Sequence, residues 1–123
     1  MFYEQDWILR QISIIIKFIR SLLSKEGKVY EQDEEQTVFK EEIEKLIELN
    51  RLKEANSLIV KTSKDKDVLA LGLWFYALLN DLSDKKLEEG ALAREDILKG
   101  LRTLLYNSDR IDNSIVDIII DKY

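Results

Sequence analysis

Apolar residues recur at three- and four-residue spacing through almost the whole chain, the signature of helices with one face turned inward. From Tyr3 to about Lys25, Ile8, Ile12, Ile15, Ile19 and Leu22 form one stripe, Leu9, Ile16 and Leu23 an adjacent one, and Trp7, Ile14 and Phe18 the other flank. At roughly 100° per residue this arc covers more than half of the helix circumference. One neighbouring helix cannot cover it, so the helix packs on several partners within the chain or contributes to an oligomer interface.

Gly27 is expected to end this first helix, followed by a polar connection over 28–36 with the acidic run Asp33-Glu34-Glu35. A second helix is predicted from about Gln36 to Leu49, with Phe39, Ile43, Leu46 and Ile47 inward. Asn50-Arg51 breaks it, because Asn tolerates the left-handed backbone of a tight turn. A third helix follows over about 52–62 with Leu52, Ala55, Leu58 and Ile59 inward, and so short a turn sets the two antiparallel. Ser63 to Asp67 is the next break, and the twelve residues from Val68 to Leu79 then carry no charge. A helix apolar all round reads as the central one of the fold, and this one is too short to cross a bilayer. Ser83 is placed to cap a short helix over 84–89 that stops at Gly90. A further amphipathic helix over about 94–106 carries Ile97, Leu98, Leu101, Leu104 and Leu105 on one face. The tail over 107–123, rich in Ile and Val from Ile111, fits a last helix or a short strand.

Composition supports this pattern. No proline and only four glycines in 123 residues leave little turn chemistry for a β-sandwich or barrel. The expected architecture is a single all-α domain over 1–123, a helical bundle of about five to seven helices with its helical core at about 36–106. The chain has no cysteine and no histidine. Disulfide frameworks, thiolate nucleophiles, His-ligated metals and Ser-His-Asp hydrolases are thereby excluded. Its net charge of -5 and pI near 4.9 have the wrong sign for a nucleic-acid binder. Glu4 and Asp6 stand where a signal peptide needs bases, and Arg10, Lys17 and Arg20 interrupt the apolar run, so a cytoplasmic location is the simplest expectation.

Two resemblances add to this. The segment Leu49-Asn50-Arg51-Leu52-Lys53-Glu54-Ala55, with Leu58 and Ile59 after it, resembles the inter-helix turn of a tetratricopeptide repeat. Projecting that repeat's period forward finds Asp84, Lys86 and Glu89 where the next turn belongs, so the likeness is to one hairpin and not to an array. The chain as a whole resembles a small uncharacterised family of proteins from low-GC Gram-positive bacteria, a domain of unknown function. Gln5-Asp6-Trp7-Ile8-Leu9-Arg10, the hairpin turn, the run Phe75 to Asp84, and Arg94-Glu95-Asp96-Ile97-Leu98-Lys99-Gly100-Leu101 carry that resemblance. It implies an all-α protein without assigned activity and supplies no catalytic residue. Ala93 stands where a capping Ser is expected, and the tail after Tyr106 has no counterpart in it.

Candidate chemistry is sparse. Carboxylates cluster at 33–35, 41–44 and 88–89 and could in principle serve as acid and base, but carboxylates interleaved with Lys on helices read as a solvated face. The run Asn107 to Asn113 offers oxygen ligands, yet Ile111 stands at a ligand position of a calcium loop and no Gly makes its turn. No catalytic residue, cofactor or metal site is therefore assigned, and a carboxylate-based enzyme is the third and weakest reading. Trp74, Tyr76 and Asn80 read as core; a peptide groove there would require Trp74 exposed beside Tyr76.

The first helix carries the main candidate. Its polar arc holds Arg10, Lys17 and Arg20 with no acid between Trp7 and Ser24, although the protein is acidic. The expected role is a non-enzymatic protein-protein interaction or scaffolding module, with homodimerisation through the broad apolar face of this helix and with Trp7, Arg10, Lys17 and Arg20 as partner-binding residues. The basic face would then pair with the acidic 31–48 segment of the same chain or of a second subunit. An alternative is a peripheral adaptor that lays this helix on an anionic membrane surface.

Overall fold

The computed structural model describes residues 2–25 and 34–122. They form seven helices and, among these residues, no strand: α1 Phe2–Lys25, α2 Glu34–Glu48, α3 Leu52–Ser63, α4 Leu69–Asn80, α5 Asp84–Glu89, α6 Arg94–Asn107 and α7 Asn113–Lys122. The expected stop at Gly27 and most of the polar connection after it lie outside the described residues. The tail resolves as helix: Asp112 accepts from the Ser114 amide (2.9 Å) and caps α7, while Val116 and Ile119 pack inward.

Local chemistry sets the turns. After α2, Asn50 has φ 56°, the Asn50 amide bonds the Ile47 carbonyl and the Arg51 amide bonds the Leu46 carbonyl, which together make a Schellman ending. The same pattern ends α5, where the Ala91 amide reaches Glu88 and the Leu92 amide reaches Leu87, with Leu87 and Leu92 both buried beneath it. The left-handed residue here is Ala91 (φ 58°) and not Gly90, whose φ is -85°. Gly90 is required for a different reason: a Cβ on it would lie 2.6 Å from Leu52, and its carbonyl accepts from the Lys53 amide at the start of α3. Ser83 caps α5 as expected, accepting from the Lys86 amide at 3.2 Å.

The apolar helix α4 is deeply buried, yet the hub of the fold is α6, which packs against α1, α3, α4 and α7; α1 also packs on α4, and α2 on α3. The expected all-round burial of the segment over 68–79 is seen, since none of its residues is exposed. The buried arc of α6 is broad as well. Arg94, Ile97, Gly100, Leu101, Leu104 and Leu105 are all buried, and only a narrow line of Glu95, Lys99, Arg102 and Tyr106 is exposed. Glycines let the neighbours close on it. A Cβ at Gly72 of α4 would fall 2.3 Å from the buried Leu104, and one at Gly100 would fall 2.3 Å from the Tyr76 hydroxyl.

Candidate interaction surface

Helix α1 turns Ile8, Ile12, Ile15, Ile16, Ile19 and Leu23 into the core of its own chain. The broad apolar face expected to form a homodimer is therefore already covered, and what remains outside is narrow: Trp7, Ile14 and Phe18 at 60%, 42% and 41% exposure. Arg10, Lys17 and Arg20 lie beside them, all exposed, and form no ion pair among the described residues. Of the expected partner-binding residues, Trp7, Arg10 and Lys17 thus share one outward face, with Arg20 further round the helix. Pairing of this face with the 31–48 segment of the same chain is not seen for the described acids of α2, Glu41, Glu42, Glu44 and Glu48, which point to solvent. The side chains of residues 31–35 lie outside the described residues.

The outward face of α1 is held in place by polar anchors that the apolar pattern did not reveal. Asn80, at the end of α4, donates to the Leu9 carbonyl (3.1 Å) and so pins α1 between Trp7 and Arg10. Arg94, the first residue of α6, is 8% exposed and donates to the Asn80 carbonyl (3.1 Å), the Leu82 carbonyl (3.0 Å) and the Asp84 carboxylate (2.9 Å). A buried guanidinium is tolerated only when its fan of donors is met in this way. The one available signal was phase: Arg94 lies three and seven residues before Ile97 and Leu101, on the stripe that faces inward.

Trp74 and Tyr76 part company. Trp74 is half-buried with the Lys40 ammonium of α2 4.9 Å from its ring centroid, whereas Tyr76 is fully buried and donates to Asn56 Oδ1 of α3 at 2.7 Å. Burial pushes the Tyr76 phenol well above its ordinary pKa. The two rings serve different helix contacts and line no common groove.

A cleft of about 500 Å³ lies between α2, α3 and the turn after α3, lined by Phe39, Leu58 and Val68 with Glu42, Lys66 and Asp67 at its rim. A smaller one, about 220 Å³, sits where the α3–α4 and α6–α7 turns meet, and there Arg110 holds Asp67 through Nε (2.7 Å) and Nη2 (2.5 Å). No group of three or more carboxylates able to hold a metal ion occurs among the described residues. The candidate oxygen ligands after α6 serve the fold: Asn107 donates to Ser63 and Asp112 caps α7. Nor, among the described residues, is any helix long and apolar enough to cross a membrane.

Fold and surface together define an all-α helical domain with an amphipathic outward face on α1. The chain belongs to the family of unknown function DUF6483, whose model matches residues 2–108 and thus spans α1 to α6. The last helix, α7, lies beyond the match. None of the curated proteins and none of the solved structures matches the chain.

Proposed function

We propose that this protein is a non-enzymatic interaction module whose partner surface is the outward face of α1. The observation that carries this is the exposed Trp7-Ile14-Phe18 stripe flanked by Arg10 and Lys17, whose charges have no partner among the described residues. Exposed aromatics beside Arg are the composition of interface anchors, and a basic flank on an acidic chain steers acidic partners to that face. The hairpin α2–α3, with its tetratricopeptide-like turn, would serve as scaffold. The supporting experiment is capture from the native cell with wild type and with Trp7→Ala/Phe18→Ala, both checked for unchanged helicity. A partner retained by wild type and lost by the variant is expected; identical capture by both would overturn the assignment.

A second reading, a peripheral adaptor on an anionic membrane, draws on the same face, since aromatics with adjacent bases also suit a lipid interface. Co-sedimentation with anionic vesicles at low and high salt separates it from the first: lipid binding without protein capture would favour it.

A further inference from the structure

We infer that the partner of the α1 face is a second copy of this chain, docked through the outward face of α2. This rests on the interaction reading above and names its occupant. The outward arc of α2 carries exposed Val38 (56%), with exposed Leu49 (65%) just past its last residue, and along one flank the exposed carboxylates Glu41 and Glu48 with Lys45 between them and Glu44 further round, so the flank is acidic on balance. The spacings on the two helices match. Trp7 and Phe18 are eleven residues apart, as are Val38 and Leu49; Arg10 and Lys17 are seven apart, as are Glu41 and Glu48. On both helices these charged pairs lie on the same hand of the apolar positions, about 60–100° round at 100° per residue, while Glu42 lies on the other hand of the α2 positions. Two helices with that shared hand bring their charged flanks together when they run antiparallel. In such a pairing Trp7 meets Leu49 and Phe18 meets Val38, while Arg10 faces Glu48 and Lys17 faces Glu41.

Contact of α1 with α1 of another copy is the poorer arrangement. Run antiparallel, it would set Arg10 against Lys17 twice and leave both bases facing like charge. Nor does the pairing form within one chain among the described residues, where α1 packs on α4 and α6 and α2 packs on α3. Both faces are thereby left outward in each copy, one basic and one acidic.

The test uses the full chain in sedimentation equilibrium from micromolar to millimolar concentration. Self-association is expected at low salt, with the dissociation constant rising about tenfold or more at high salt, because exposed charge pairs are screened. Two variants then probe the pairing: Arg10→Glu/Lys17→Glu, which makes the α1 face acidic, and Glu41→Lys/Glu48→Lys, which makes the α2 face basic. All four positions are exposed, so helicity should not change. Each variant alone should self-associate roughly a hundredfold more weakly than wild type, and a mixture of the two should associate again, since every α1–α2 contact between them regains opposite charge. A wild type that stays monomeric at millimolar concentration overturns the second-copy assignment, while Trp7-dependent capture of a different protein would leave the interaction reading standing. Self-association unaffected by either charge reversal, or a mixture no tighter than its components, also overturns it. So does binding of Arg10- and Lys17-dependent chains to anionic vesicles without self-association.

Discussion

At the scale of single residues, two alanines occupy positions where another residue would suit the backbone better. Ala91 holds the left-handed conformation that glycine enters without cost, so Ala91→Gly should raise stability by about 0.5–1 kcal/mol, the relieved strain exceeding the added unfolded-state entropy. Chemical denaturation reads this as a higher midpoint at unchanged slope. Ala93 has the extended backbone of an N-cap (φ -95°, ψ 158°), and its amide already donates to the Asp96 carboxylate at 3.0 Å, yet its methyl group accepts nothing. Ala93→Ser would complete the reciprocal pair by accepting from the Asp96 amide, which now reaches only the Ala93 carbonyl (3.0 Å), and a gain of about 0.5–1 kcal/mol is expected by the same measurement. The N-cap at position 93 was expected only from the family resemblance, since Ala carries no capping signal of its own. The strain at Ala91 could not be read in the sequence, because Gly90 beside it looked like the helix stop.

At the scale of elements, α6 and α7 depend on contacts that run between helices. Gly100→Ala would ordinarily favour a helix by about 1 kcal/mol, but here the added carbon would fall 2.3 Å from the Tyr76 hydroxyl and 2.6 Å from Asn56 Oδ1. Broken apart, that buried pair costs more than the propensity returns, and a net loss of about 1–2 kcal/mol is expected in thermal unfolding. Helix α7 is attached by its Asp112 cap, by the Tyr106 hydroxyl donating to Asp117, and by Val116 and Ile119. Hydrogen bonds from the Ser114 amide and hydroxyl hold the Asp112 carboxyl below its ordinary value of 3.8. The unfolded state therefore takes up the proton first, so the cap is complete above about pH 4 and is lost as pH falls through the lowered folded value. Protection of the α7 amides, measured as exchange relative to the intrinsic rate at each pH, should fall in acid before that of α4 does. Helix or strand was undecidable for this segment from its Ile and Val content, since β-branched residues suit both once burial is unknown. The docking surface on α6 decides it.

For the molecule as a whole, the decisive fact is that α1 is a core element of its own chain. Ile12 is fully buried and Ile14 is 42% exposed, two residues apart on one helix. Ile12→Ala is expected to destabilise by about 3 kcal/mol, lowering the midpoint by the same amount relative to wild type at every protein concentration, whereas Ile14→Ala should change monomer stability by less than about 0.5 kcal/mol. Thermal melts over a concentration series check both. A deficit relative to wild type that grows with protein concentration for Ile12→Ala would mean that its side chain is buried between subunits instead.

The existence, order and approximate limits of the helices were written in the chain itself, because apolar periodicity and capping residues act over a few positions and need no knowledge of neighbours. So were the exclusion of Cys and His chemistry and the basic arc of α1. Spacing already set Trp7, Ile14 and Phe18 on a flank apart from Ile8 and Ile12; tertiary structure alone decided that this flank of an over-wide apolar face stays outside while the other stripes are buried, with α1 packed on α4 and α6. It also decided that α6 and not α4 is the hub, and that Asn80 and Arg94 are internal anchors. The physical reason is the same in each case. Burial and hydrogen-bond satisfaction belong to pairs of elements brought together by the fold, and a periodicity reports only which side of its own helix a residue is on.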